Sequence, residues 1–210
     1  GGLLRYGIPD FKLSKSVIDR RLDLMIAEGL IIKTGIAIGR DISGKEIMDT
    51  FDAVCITIGA GKPRGLKVEG IEFSGIHFAM DFLKAQNKIN SGLLPANENP
   101  ISAEGKRVLV IGGGDTGSDC VGTSIRQKAV SVTQIEILPK PPTVRKEDNP
   151  WPYWGKILKT STSHEEGCER QWNLSTLRFV GDGKITRGAE VEEVEWVFSD
   201  GKYTMKPVPG

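Results

Sequence analysis

A run of glycines within residues 106–120 has the spacing of a phosphate-binding turn. Gly112, Gly114 and Gly117 follow the pattern G-x-G-x-x-G directly after the apolar run 108–111. Between a strand and a helix, such glycines allow a tight turn, a close approach of backbone to phosphate and close helix–strand packing. The start of the following helix attracts negative charge. The segment predicts a site for a dinucleotide's pyrophosphate; the alternative is a glycine-rich turn that only lets helix and strand pack.

The elements around this turn should hold it at the edge of a parallel sheet. The apolar run 108–111 predicts a strand covered on both faces. A helix is predicted over 118–127 and a second parallel strand over 130–137. This strand–turn–helix–strand order is what a dinucleotide-binding unit requires.

The end of the second predicted strand is where the choice between NADH and NADPH would be made. Glu136 lies 24 positions after Gly112, where an acidic residue would bind ribose hydroxyls. Lys140 and Arg145 follow it and would suit a 2′-phosphate. The charges therefore point both ways and slightly favour NADH. The alternatives are that Glu136 faces solvent at an edge and that the two cations belong to an ordinary solvated loop.

Two other groups of residues could do chemistry but carry weaker signals. His164, followed by two glutamates on a predicted loop, is expected to be solvated, since hydride transfer needs no protein base. Trp151, Tyr153 and Trp154 are grouped at the end of a stretch, 139–152, with five prolines that should form a stiff loop. These aromatic rings could stack on a nicotinamide or flavin, although packing against the domain is their commoner use. No catalytic side chain and no metal ligand is predicted.

Strand and helix patterns extend over most of the remaining chain. Helices are predicted at 14–29, 78–89 and 155–162, short strands at 30–38, a turn or hairpin at 42–50, a buried strand at 53–58, and an antiparallel meander of 170–180, 190–198 and 202–205. Residues 1–13 are predicted to be a loop, and 91–102, rich in proline and asparagine, a linker.

Composition excludes some classes of protein and leaves others open. The 210 residues are 39% hydrophobic and 26% charged, as in ordinary soluble domains. A net charge of +1 gives no electrostatic reason to expect nucleic acid or a membrane as partner. Cys55, Cys120 and Cys168 lack C-x-x-C spacing, so reduced thiols in a cytoplasmic protein are expected. The opening Gly1-Gly2, without methionine, suggests an internal fragment of a longer chain.

With these motifs in view, the sequence resembles the small (beta) subunit of glutamate synthase over nearly its whole length. The similar segments are residues 1–13, 57–61, 112–120, 136–142, 149–154 and 160–166. The last three are far more specific than the glycine pattern. The first and third are shared with related reductase modules, such as the amino-terminal part of dihydropyrimidine dehydrogenase.

The resemblance implies an NAD(P)H-dependent flavin oxidoreductase with an α/β fold. A Rossmann-like NAD(P)-binding domain, made of a parallel sheet and an antiparallel meander, would be inserted into a partial FAD-binding domain. In this chain the FAD-binding part would cover 1–95 and the NAD(P)H-binding domain 96–210. Electrons would pass from NAD(P)H through FAD and then iron–sulfur clusters, held outside this sequence, to a large subunit that makes glutamate from glutamine and 2-oxoglutarate.

The resemblance also assigns cofactor contacts by position. The nicotinamide cofactor would lie on Gly112, Gly113, Gly114, Asp115, Thr116 and Gly117, with Glu136, Lys140 and Arg145 near its ribose, and FAD on Leu3, Lys12, Ile38, Gly59 and Ala60. Gly117 departs from the expected alanine but is no larger. The family's first FAD fingerprint is not in the sequence, so the FAD site is expected to be incomplete and the fragment alone inactive. A non-catalytic dinucleotide-binding or electron-transfer module of another flavin reductase remains the alternative.

Overall fold

The computed structural model describes residues 1–199 and 201–209 and divides into two compact units. The first unit comprises residues 1–13 and 66–210, and the second comprises Ser14–Gly65. The helices are α1 (Lys15–Ala27), α2 (Gly44–Thr50), α3 (Ala79–Asn90), α4 (Asp115–Arg126) and α5 (Thr162–Glu165). The strands are β1 (Arg107–Ile111), β2 (Ser131–Ile135), β3 (Cys168–Gln171), β4 (Leu174–Asp182), β5 (Ile185–Ser199) and β6 (Lys202–Pro207). The division into FAD and NAD(P)H domains near residue 95 stays a prediction.

A three-stranded parallel sheet in the order β1-β2-β3 forms the centre of the first unit. Val110 of β1 and Val132 of β2 face a core that includes Leu83 of α3 and Val121 of α4. The alternate residues of β1 are exposed, including Leu109 at 39% and Ile111 at 40%. The prediction that β1 is covered on both faces is therefore wrong, because among the described residues helices cover only one side of it.

The predicted antiparallel meander is present as β4, β5 and β6. Strand β5 is 15 residues long and pairs first with β4 and then with β6. The segment before α3 joins this sheet, because Ser74 N–H donates to Lys184 O at 2.8 Å and Phe179 N–H donates to Glu69 O at 2.9 Å. One strand was misassigned: Arg170 begins no meander strand but lies in β3, which pairs in parallel with β2.

Helix α3 confirms the helix predicted at 78–89 and holds the start of the chain. Its buried Asn87 donates through Nδ2 to Tyr6 O at 3.0 Å and to Gly7 O at 3.3 Å. The start of the chain is not wholly a loop, since Leu3–Gly7 forms one π-helical turn. A 3-10 turn at Ala96–Glu98 interrupts the predicted linker.

The second unit has less regular structure than its sequence predicts. Helix α1 confirms the helix predicted at 14–29, whereas the predicted hairpin is α2, whose first turn is capped by Ser43 Oγ accepting Glu46 N–H at 3.0 Å. The strands predicted at 30–38 and 53–58 are absent from the described residues there, apart from a single bridge between Ile38 and Ile42. An apolar run becomes a strand only when it has a strand to pair with, and this unit offers none.

The helix predicted at 155–162 is not formed, and the short helix α5 follows it at Thr162–Glu165. Residues 139–152 contain no helix or strand, as their five prolines predict. None of the described helices combines the length and the apolar character needed to cross a bilayer.

Candidate functional site

The glycine turn lies at the carboxyl ends of β1 and β2. Gly112 follows β1 directly, and its N–H donates to Ile135 O, at the end of β2, at 2.8 Å. Its φ of +112° is a conformation that side chains with a Cβ rarely adopt. Helix α4 begins three residues later, and its N-cap, Gly114, provides no side-chain cap. The positive end of this helix therefore points out at the sheet edge where parallel α/β sheets bind ligands.

The three spaced glycines differ in what surrounds them. A Cβ at Gly117 would lie 2.3 Å from Gly112 O and 2.8 Å from Gln134 Nε2, so the first turn of α4 packs directly on the end of β1. At Gly114 a Cβ would meet nothing within 4 Å. Gly117 is thus needed for helix–strand packing, and Gly114 leaves open space over the turn. This division of roles is the one expected of a phosphate-binding turn.

Glu136 lies at the mouth of the turn. Its Oε2 accepts Gly113 N–H at 2.5 Å and its Oε1 accepts Leu138 N–H at 3.2 Å. Two backbone donors thus fix a half-buried carboxylate beside the glycines, because a carboxylate accepts charge-assisted hydrogen bonds strongly. The structure therefore brings Glu136 and the turn together, as the spacing predicted.

A small cavity adjoins Glu136 and contains residues that the sequence did not single out. Its lining residues are Gly113, Gln134, Glu136, Arg170, Gln171 and Trp172. Two cations flank the Trp172 ring: Lys140 Nζ is 4.9 Å and the Arg170 guanidinium carbon 5.1 Å from its centroid. Trp172 follows β3 directly. Because the sequence alone did not identify β3 as a parallel strand, it did not predict that Trp172 lies at this cavity.

The predicted ribose cations separate in the structure. Lys140 lies next to Trp172, whereas the guanidinium of Arg145 donates from Nη1 to Asn149 O at 3.1 Å and to Tyr153 O at 2.9 Å. Arg145 therefore stabilises the proline-rich loop. Glu136 contacts the glycine turn directly, and Lys140 lies beside Trp172, a residue that lines the same cavity as Glu136. The proximity of Lys140 and Arg145 to a ribose stays a prediction.

His164 is not solvated, contrary to the expectation from its neighbours in sequence. The side chain is only 9% exposed and lies on α5, which packs against α4. Its Nδ1 accepts Ser161 N–H at 3.1 Å, and its Nε2 is 2.9 Å from Gln134 Oε1. Burial lowers the pKa of His164, and the positive charges of Arg170 and Lys12 lower it further. A neutral imidazole is therefore part of the buried support beneath the turn.

Arg126 joins three parts of the first unit. Its guanidinium binds both carboxylate oxygens of Glu166 at 2.7 Å and donates to Gly122 O at 3.1 Å. The same group lies 3.6 Å from the centroid of the Phe11 ring. Two of the segments that resemble glutamate synthase, 1–13 and 160–166, thus meet on α4.

The exposed aromatic residues form a groove of their own. Trp151, Tyr153 and Trp154 are all exposed and line this groove together with Arg145 and Lys159. Lys159 Nζ lies 3.6 Å from the centroid of the Trp154 ring. None of these residues lines the cavity beside Glu136.

The residues predicted for FAD fall in both units. Leu3 and Lys12 belong to the first unit, and Ile38, Gly59 and Ala60 belong to the second. All five are exposed. A common site for them stays a prediction.

The three cysteines are free thiols. Cys55 is exposed, Cys120 is buried and Cys168 is half-buried. Burial raises the pKa of Cys120 to about 12, with the charge of Asp119 adding to the effect, so this thiol stays protonated at neutral pH. Throughout residues 1–199 and 201–209, no cluster of three or more His, Cys, Asp or Glu side chains is arranged to hold a metal ion.

A glycine turn at the carboxyl edge of a parallel sheet, with an acidic residue at the end of the next strand, defines a Rossmann-like dinucleotide-binding unit. The family model described as pyridine nucleotide-disulphide oxidoreductase matches residues 19–202. The chain belongs to this family. Its α/β fold, with a parallel sheet and an antiparallel meander, confirms the architecture predicted from the sequence.

Two relatives, at 45% and 41% sequence identity, are glutamate synthases. The chain is 45% identical over 207 residues to the glutamate synthase [NADPH] small chain of Mycobacterium tuberculosis, covering 97% of this chain and 42% of that relative. It is 41% identical over 219 residues to the glutamate synthase [NADH] of Schizosaccharomyces pombe, covering 99% of this chain and 10% of that relative. The resemblance stated from the motifs is therefore confirmed, and the chain spans less than half the length of these relatives.

A solved structure supports the fold. FprA from Mycobacterium tuberculosis, in complex with NADPH, superposes with a TM-score of 0.71 at 14% sequence identity. The match covers 100% of this chain and 58% of FprA.

Proposed function

We propose that this chain is part of an NAD(P)H-dependent flavin oxidoreductase, the electron-input small subunit of a cytoplasmic glutamate synthase. The observation that carries the proposal is the uncapped start of α4 behind the open Gly114, at the carboxyl edge of the parallel sheet. The identity to glutamate synthase small chains over almost the whole sequence supports the particular enzyme.

The residues of the turn fit a dinucleotide. The pyrophosphate would lie over Gly112–Gly117, where Asp115 and Thr116 begin α4, and would face the positive end of the helix dipole. The ribose would bind the carboxylate of Glu136, with Lys140 and Arg145 on the side of the 2′ position. NADH is the favoured cofactor, because the fixed negative charge of Glu136 would repel a 2′-phosphate. Both NADPH and NADH occur in the names of the relatives.

The chain's own residues would bind and orient, and the cofactors would react. When bound, NAD(P)H and FAD supply hydride transfer, which requires no acid or base from the protein. FAD would contact Leu3, Lys12, Ile38, Gly59 and Ala60. The whole protein would pair with a large subunit that makes glutamate from glutamine and 2-oxoglutarate, with iron–sulfur clusters held outside this chain.

Titration calorimetry on the chain tests the binding step. NADH, NADPH and ADP should all bind, since they share the diphosphate, whereas adenosine, which lacks it, should bind much more weakly. Equal affinities for NADH and adenosine would refute a pyrophosphate site at the glycine turn.

Flavin reduction in the full-length protein tests the enzymatic step. Anaerobic addition of NADH or NADPH to the FAD-loaded protein should bleach the flavin absorbance. A protein that binds the nucleotide and carries FAD without bleaching would be a binding module rather than an oxidoreductase.

A further inference from the structure

The peptide unit between Gly112 and Gly113 is not restrained by any side chain of its own. Neither residue has a Cβ, so this peptide plane can rotate at little steric cost. Its orientation nevertheless decides whether the Gly113 N–H faces the ligand side or the interior. A turn that must hold this N–H on the Glu136 carboxylate needs a group that fixes the plane.

Two side chains hold this peptide unit from opposite edges. Gln134 Nε2 donates to Gly112 O at 2.9 Å, and Gly113 N–H donates to Glu136 Oε2 at 2.5 Å. Because the C=O and N–H of a trans peptide point in opposite directions, the bond to Gln134 directs the N–H toward Glu136. Gln134 is 2% exposed and is the penultimate residue of β2.

The direction of every hydrogen bond behind Gln134 follows from one fixed donor. The backbone N–H of Ser161 can only donate, so Nδ1 of His164 must be its acceptor. The proton of the neutral ring is then on Nε2, which donates to Gln134 Oε1 at 2.9 Å. The remaining NH2 group of Gln134 must therefore face Gly112 O. The chain Ser161–His164–Gln134–Gly112 has a single consistent proton arrangement.

We propose that Gln134 and His164 are positioning residues that set the orientation of the Gly112–Gly113 peptide. Through that peptide they hold Gly113 N–H and the Glu136 carboxylate where the ribose and pyrophosphate of the dinucleotide bind. The inference rests on the proposed function and adds two residues to it that contact the turn rather than the cofactor.

The cost of burying these groups supports a role at the turn. An unpaired amide in a protein interior loses about 1–3 kcal/mol, so Gln134 is tolerated in a strand only because both ends of its amide are bonded. The other buried residues of β2, Val132 and Ile135, are both apolar. The polar residue at 134 provides what an aliphatic residue cannot, a donor to the Gly112 carbonyl.

Four variants of the chain separate positioning from packing. Gln134→Met and His164→Met remove the hydrogen bonds while filling the space, and His164→Gln keeps an N–H donor near the position of Nε2. Gln127→Met is the matched control, because Gln127 also bonds through both ends of its amide, to Ala103 N–H at 2.7 Å and to Gln86 Oε1 at 2.6 Å. Gln127 lies at the other end of α4.

Two readouts are taken on each variant, together with its melting temperature. Calorimetry with NADH should show an affinity loss of about three- to tenfold for Gln134→Met and His164→Met, the worth of one or two net hydrogen bonds. The double variant Gln134→Met/His164→Met should bind NADH no more weakly than either single variant, because the two residues act as one network. His164→Gln should bind NADH with an affinity within about twofold of wild type, and so should Gln127→Met. Without ligand, the 1H–15N resonance of Gly113 should shift in the two Met variants and stay in place in His164→Gln.

The outcomes distinguish this inference from the proposed function. Folded Met variants that bind NADH as tightly as wild type, with an unchanged Gly113 resonance, overturn the positioning role. If wild type binds no dinucleotide, the proposed function fails, and the Gly113 resonance still decides the orientation. Should the Met variants not fold, His164→Gln decides, since a displaced Gly113 resonance in that variant contradicts the inference.

Discussion

The glycine turn depends on single residues, because Gly117 packs against neighbouring atoms whereas Gly114 faces open space. The Gly112 carbonyl and the amide of Gln134 occupy the space next to Gly117. The resemblance led us to expect alanine at 117, where this chain has glycine. The structure shows why alanine would not fit here: the Gly112 carbonyl oxygen lies 2.3 Å from where its methyl carbon would be.

Adding one methyl group at 117 or at 114 should therefore have different effects. Gly117→Ala should lower the free energy of unfolding by about 1–3 kcal/mol, because backbone atoms must move apart. Gly114→Ala, with an ordinary φ of −77° and open space, should leave stability nearly unchanged and weaken NADH binding. Urea unfolding and calorimetry measure the two quantities. Equal stability losses would contradict the assigned packing role of Gly117.

Removing the carboxylate at the mouth of the turn tests cofactor choice. Glu136→Ala should weaken NADH by about three- to tenfold and NADPH less, because the lost acceptor served the ribose hydroxyls while the lost charge repelled a 2′-phosphate. Lys140→Ala, which removes the cation beside the Trp172 ring, should show the opposite preference. Calorimetry with both nucleotides measures the ratio, and equal losses for both from Glu136→Ala would count against the ribose role.

At the scale of elements, those with strong local signals were predicted and those made by pairing were not. Helix α4 and the glycine turn carry their signal in sequence, and both were found. Strand β3 has the sequence Cys-Glu-Arg-Gln, with no apolar run, and exists because β2 offers it a partner. The apolar residues 53–58 show the reverse, since they lack a neighbouring strand in their unit and remain exposed. An apolar pattern in the sequence therefore predicted a strand correctly only where a neighbouring strand was present to pair with it.

Arg126 adds polar contacts from helix α4 to Glu166, just after α5, and to Phe11 near the start of the chain. Arg126→Met should lower the free energy of unfolding by about 1–2 kcal/mol, because a two-point carboxylate contact and the contact with the Phe11 ring are lost together. Arg178→Met, which breaks a pair with Glu190 in which both side chains are about half exposed, is the matched control. Thermal unfolding of both variants should show little change for the control. Similar losses in both would mean that Arg126 acts only as a surface charge.

Helix α5 makes stability depend on pH through His164. The unfolded chain takes up a proton at this residue near its ordinary pKa of about 6.5, whereas the folded chain does so only at lower pH. The stabilisation is therefore complete above about pH 6.5 and is lost as the pH falls from there toward the lowered pKa. Urea unfolding measured between about pH 8 and pH 5 should show that His164→Gln loses less free energy of unfolding in acid than the wild type does. His77→Gln, which removes the exposed second histidine, controls for loss of an imidazole.

At the scale of the whole molecule, the two units differ in how much they bury. Neither α1 nor α2 contains a buried residue, and Ile56 and Ile58 are 77% and 89% exposed. Native hydrogen exchange should therefore show strong protection in β1, β2 and α4 and weak protection throughout 51–65. Thermolysin, which cuts at exposed aliphatic residues, should cleave within 51–65 before it cleaves the first unit. Protection of 53–58 equal to that of β2 would contradict the structure.

The candidate site was only partly predictable from sequence, because contacts between distant segments of the chain form part of it. Gly112, Gly117 and Glu136 were identified because spacing along the chain fixes their relation. Gln134 was not identified and His164 was wrongly expected to be solvated, because their burial arises from α5 packing on α4, far along the chain. A glutamine within a strand predicted to belong to a parallel sheet was the one signal that could have drawn attention to this support.

The indole beside Glu136 gives the molecule an optical reporter of its own. Trp172 lines the cavity next to Gly113 and is flanked by two cations, so a nucleotide entering there would change the polarity around its ring. Its fluorescence should be quenched as NADH is added, and the response should disappear in Trp172→Phe while Trp151→Phe keeps it. Occupancy of the cleft could then be followed in real time without any attached dye.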